Sequence, residues 1–163
     1  LDLDNKHSPS NYHYGRYLFF HKNDTAACKY FAHAASDVNY TARVVANEDL
    51  GLCYMKANQP GSAIDAFEKA WLLDPNSTTS SMNLAHIYLE RKRVRMANRW
   101  FQRFEKKLAE QAASHTAFSL GLAVQLSRAK RDKNAMASYA FKLKKRFPNS
   151  AEYKRFKRGR KIN

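Results

Sequence analysis

Apolar side chains return at intervals of three and four along most of the chain, the period that sets one stripe of a helix against a core. Glycine and proline, at five and four residues, are too scarce to punctuate a sheet, so the pattern predicts an all-helical fold. Within that rhythm, Leu50, Gly51, Tyr54, Ala63, Phe67, Ala70 and Pro75 follow the spacing L-G-x2-Y-x8-A-x3-F-x2-A-x4-P. Each position has a steric task. Gly51, Ala63 and Ala70 are small and let two antiparallel helices approach; Tyr54 and Phe67 fill the space between them; Pro75 marks where the second helix must have ended.

This spacing is the signature of the tetratricopeptide repeat (TPR), a helix pair of about 34 residues. With Val44 as its first position, one period forward starts at Thr78 and places Leu84, Ala85, Tyr88, Ala97 and Phe101 on the same hallmarks. Phe104 and Ala109 replace the last alanine and the proline there, so the second helix is expected to run on toward Glu110. Backward, a start at Ser8 gives Tyr14, Gly15, Leu18, Ala27, Phe31 and Ala34, followed by a two-residue insertion. A start at Thr116 gives a degenerate unit with Leu122, Ala123, Leu126, Ala135 and Tyr139, and Pro148 one place late. The expected architecture is therefore all-α: a right-handed superhelical solenoid, one domain over residues 1–163, with repeats at about 8–43, 44–77, 78–111 and 114–148 and a basic capping helix at 150–160. The opening string from Leu1 to Asn5 resembles Leu72 to Asn76, the exit of a second helix, so the chain reads as a fragment of a longer array. Local signals fit these registers. Asn23 and Asp24 are candidate caps, Pro60 suits a first helical turn, Ser114 precedes the helix through Leu126, and Asn149 with Glu152 has capping-box spacing.

Charge adds a preference for anionic partners. The formal net charge is +15, and from Arg128 to Lys161 the only acidic residues are Asp132 and Glu152. A solvated helix face with a basic tail is the plain explanation of such a run. No window approaches the roughly 18 to 20 apolar residues of a membrane span.

Catalytic motifs are missing: there is no P-loop, no H-E-x-x-H and no G-x-S-x-G, so the expectation is a non-enzyme without cofactor or small-molecule substrate. His7, His13, His21, His33, His86 and His115 are scattered without cysteine neighbours, which argues against a metal site. Cys28 and Cys53 fall on helices adjacent in the array. A disulfide is conceivable in an oxidising compartment, but two free cysteines serving as small core residues are the favoured expectation.

The inner face of such a solenoid is lined by positions 2, 5, 9, 12 and 13 of each first helix. It collects Tyr12, Arg16, Phe19, Phe20, Leu52, Met55, Lys56, Met82, His86, Leu89, Leu120, Val124 and Arg128. Some of these must pack between repeats, yet aromatics and methionines flanked by cations suit a groove for an extended or helical peptide.

A narrower likeness lies in the stretch from Asn47 to Pro75, in the N-L-A-x-I-Y-L-E unit, and above all in the ending A-S-Y-x-x-x-L-K-x-x-x-P-x-S-x-E-Y around Tyr139 to Tyr153. From Ser8 to Phe156 the chain resembles the C-terminal half of the type IV pilus biogenesis and stability protein family, the PilF/PilW-type outer-membrane lipoproteins. That resemblance implies a scaffold on the periplasmic face of the outer membrane. It implies a protein partner, the pilus secretin or another assembly component, and a lipid anchor outside these residues. The alternatives are a generic TPR peptide-binding adaptor or co-chaperone and, third, a nucleic-acid-associated repeat protein. Nucleic acid is disfavoured because the basic residues carry no stacking platform beyond Phe147, Tyr153 and Phe156.

Overall fold

The computed structural model describes residues 7–21 and 24–160. Among them are nine helices and no strand, in two compact units, Leu1–Leu84 and Ala85–Asn163, whose boundary falls within a helix. The cap proposed at Asn23 and the opening string Leu1–Asn5 lie outside the described residues.

The first unit holds α1 (Ser8–Phe20), α2 (Asp24–Ser36), α3 (Arg43–Lys56), α4 (Pro60–Leu73) and the start of α5 (Thr78–Glu90). The helices pair α1 with α2 and α3 with α4, and α2 packs on α3. The hallmark residues act as their sizes require. A Cβ on Gly15 would sit 2.9 Å from the Phe31 ring and one on Gly51 only 2.7 Å from the Phe67 ring, while Phe31 and Phe67 are fully buried. The glycine on each first helix thus admits the aromatic of its second helix. Pro60 opens α4 as expected, and Asn58, in the α3–α4 turn, takes the left-handed conformation (φ 55°) that asparagine tolerates. After α4, Asp74 accepts from the Asn76 N–H at 2.9 Å, closing the turn around Pro75.

Cys28 of α2 and Cys53 of α3 form a disulfide, their Cα atoms 5.5 Å apart. This corrects the expectation of free cysteines. Both residues sit on the apposed faces of two packed helices and are buried, so packing brings them within bonding range.

The second unit holds the rest of α5, then α6 (Val94–Glu110), α7 (Ala117–Ala129), α8 (Lys133–Arg146) and α9 (Ala151–Arg160). Helix α6 continues to Glu110 as the sequence predicts, because Phe104 and Leu108 prolong its buried stripe. Two caps differ from expectation. Thr116, not Ser114, caps α7: its Oγ1 accepts from the Ser119 N–H at 3.2 Å, and the Ser119 Oγ accepts from the Thr116 N–H at 2.9 Å. Ser150 caps α9 by accepting from the Tyr153 N–H at 3.2 Å. Glu152 instead lies over Gly121 of α7, where a Cβ would be 2.7 Å from its Cγ. With that contact α9 packs on α7 and α8. No described helix is long and apolar enough to cross a membrane.

Candidate functional site

In the first unit, the inner-face positions of α1 and α3 meet. The Lys56 ammonium lies 3.9 Å from the centre of the Phe19 ring, and the Arg16 guanidinium stands 5.9 Å from both the Tyr12 and Phe20 rings. Each cation stands within cation–π range of an aromatic ring while remaining exposed. Phe20 is 71% exposed, Arg16 and Lys56 are exposed, and Phe19, Leu52, Met55 and Met82 are half-buried. These side chains form a surface with apolar floor and cationic edges.

Tyr12 has a different place. It is buried and its hydroxyl donates to Asp49 Oδ2 at 2.9 Å, which ties α1 to α3. Burial, then the Asp49 carboxylate, pushes the phenol up to about 12, and burial raises the Asp49 carboxyl despite the Tyr12 hydroxyl and Arg16. Next to it, Glu48 accepts from the Ser77 and Ser80 hydroxyls, the latter at 3.3 Å, with its carboxyl also raised by burial. Glu48 occupies position 5 of its repeat, an inner-face position. Choosing apolar and cationic side chains left it and Asp49 out, although the register itself points to Glu48.

In the second unit, His86 and Leu89 are half-buried on α5, and the His86 ring meets Phe118 edge-on at 5.2 Å. Burial holds the His86 imidazole below its ordinary value. Leu120 and Val124 are buried, with 0% and 3% of their surface exposed, so they pack the unit instead of facing a ligand. Val124 and Arg128 line a cleft of about 540 Å³ that α9 walls with Glu152, Arg155 and Phe156, and Glu90 of α5 closes another side. The sequence reading omitted α9 as part of this face, because nothing in its composition says against which helix it folds.

Among the described residues no three His, Cys, Asp or Glu side chains converge on a point.

No protein-family model matches the chain. The type IV pilus assembly protein PilF of Pseudomonas aeruginosa is 27% identical over 156 residues, which are 96% of this chain and 60% of that protein. The chain thus spans less than two thirds of the length of this curated relative. The solved structure of Pseudomonas aeruginosa PilF superposes with a TM-score of 0.83 at 26% identity, covering 96% of this chain and 68% of that one. PilW, described as a widely conserved type IV pilus biogenesis factor, shares the fold with a TM-score of 0.78 at 22% identity, over 94% of this chain and 68% of its own. YrrB, a TPR protein with an unusual peptide-binding site, does so with a TM-score of 0.74 at 18% identity, over 97% of this chain and 78% of its own. Helix pairs built on glycine–aromatic contacts, and these likenesses along nearly the whole chain, make it a tetratricopeptide-repeat protein homologous to PilF and matching the structures of PilF and PilW.

Proposed function

We propose that the chain is a non-enzymatic protein-interaction scaffold in type IV pilus biogenesis, which assists assembly or localisation of the secretin at the periplasmic face of the outer membrane. Homology to PilF over 96% of the chain carries this reading. The disulfide between Cys28 and Cys53 supports an oxidising compartment, as the periplasm is. Membrane attachment in this reading comes from a lipid anchor that precedes residue 1, and the four helix pairs with α9 serve as one domain.

The partner-capturing face in this reading is the surface around Phe19, Phe20, Met55 and Lys56, where exposed and half-buried apolar side chains sit beside cations held on aromatic rings. A helical or extended segment of a partner would bury Phe20 and Met55 and leave the cations at the rim. Deleting the gene in its host is expected to abolish surface pili and secretin multimers; normal piliation in the deletion strain would overturn the pilus reading. Phe20→Glu with Met55→Glu should reduce secretin capture at least tenfold with unchanged helicity, since Phe20 is exposed and Met55 half-buried. Undiminished capture by that variant would remove this face from the proposal.

A further inference from the structure

Charge is divided unevenly between the two units. Of the 29 lysines and arginines, 22 fall in residues 85–163 with five of the 14 acidic residues, so the second unit carries a formal +17 and the first −2. Charge alone marks only a solvated surface. A second feature gives this one a direction. Phe141 of α8 is 66% exposed, and no other large hydrophobic side chain among the described residues of the unit stands out so far. One turn before it are the exposed Ala137 and Ser138, and one turn after it the exposed Lys144 and Lys145. The phenyl ring therefore rises above two small side chains and has two ammonium groups on its own face of the helix.

Helix α6 meets the other side of α8, where the Tyr139 hydroxyl donates to Glu105, nearly opposite Phe141 on the helix. The nearby carboxylates are engaged within the unit: Glu105 by Tyr139, and Glu110 by the Lys107 ammonium at 2.7 Å. A folded acidic protein would leave the protruding ring to find a matching pocket, and a nucleic acid would need a groove or several stacked aromatics. The boundary between headgroups and acyl chains asks for what this face has: one ring that enters the apolar layer, and long cationic side chains that reach phosphates from its margin. We infer that the exposed face of α8 in the second unit docks on an anionic phospholipid surface, with Phe141 entering the leaflet and Lys144 and Lys145 meeting the headgroups. The proposed partner face lies on α1 and α3 of the first unit, so lipid contact and partner capture use different helices.

The test is co-sedimentation of the full chain with vesicles of phosphatidylcholine alone or mixed with phosphatidylglycerol, in the absence of any protein partner. Binding is expected only to the anionic vesicles. Lys144→Ala and Lys145→Ala should each weaken it about fivefold, and Phe141→Ser by at least as much, with helicity unchanged because all three side chains are exposed. The emission of F141W, relative to wild type, should shift to the blue on anionic vesicles. Failure to bind these vesicles, binding indifferent to Phe141→Ser, or an F141W emission that does not respond would overturn the inference. Tighter binding of a DNA oligonucleotide or of polyglutamate than of the vesicles would assign the surface to another anion and overturn it equally. None of these outcomes bears on pilus assembly, so the scaffold reading stands or falls separately.

Discussion

Gly51 and Phe67 show how much a single residue decides. The fully buried Phe67 ring has no room to swing away from a Cβ 2.7 Å off, so Gly51→Ala should cost about 1–2 kcal/mol: overpacking of about 1–3 kcal/mol exceeds the helix-propensity gain of up to ~1 kcal/mol. Gly61 on α4 is the control. A Cβ there meets nothing within 4 Å, so Gly61→Ala should be neutral or stabilising by up to ~1 kcal/mol. Urea denaturation of the two variants checks both signs, and equal effects would refute the steric role of Gly51. These roles were legible in the sequence because small and large residues alternate at fixed spacings. Less legible were Tyr12, Leu120 and Val124. Helical period assigns them to the inner face, but only packing shows that they are covered.

Between elements, the disulfide is the strongest link that composition left open. It ties α2 to α3 across a separation of 25 residues, which by loop-closure entropy corresponds to about 3.5 kcal/mol of stability. Cys28→Ser with Cys53→Ser, or addition of reductant to the wild type, should lower unfolding stability by that order. A wild type indifferent to reductant in denaturation curves would show that the bond is absent or contributes nothing. Helix starts follow a similar logic. Ser114, Thr116 and Ser119 are all plausible caps for α7, as Asn149 and Ser150 are for α9. The choice falls to whichever hydroxyl faces the orphan N–H groups once the first turn is set, and sequence alone does not set it.

At the scale of the whole chain, histidines give stability a pH dependence with a defined sign. Burial holds the imidazoles of His86 and His115 below the ordinary value of about 6.5, and for His115 the Lys142 and Arg146 charges act the same way against the opposing pull of Glu105. The neutral form is thus favoured in the folded state. Their contribution is complete above pH ~6.5 and lost as pH falls through the folded values. The raised carboxyls of Glu48 and Asp49 act in the opposite sense, adding stability as pH falls through the window above ordinary carboxylate values. His86→Gln with His115→Gln should therefore flatten the loss of stability between about pH 7 and 5, read as the denaturation midpoint at each pH. An unchanged slope would mean that neither imidazole is held neutral. The split of charge between the units, +17 against −2, was countable from the start; its significance waited for Phe141 to be placed on the surface.

The sequence by itself determined the helix pairs and their registers, since apolar period, small-residue spacing and the proline after α4 are local properties that each helix must satisfy wherever it packs. Even the long α6 was foreseeable, from Phe104 and Ala109 standing where the repeat has its last alanine and its proline. Tertiary structure alone decided which inner-face residues stay open, that Cys28 and Cys53 join, that Glu152 and Arg155 of α9 wall the cleft beside Arg128, and that Phe141 stands among lysines in solvent. The physical reason is the same in each case. Period fixes the direction a side chain points along its own helix, whereas exposure and partnership depend on what another, distant segment brings to that face.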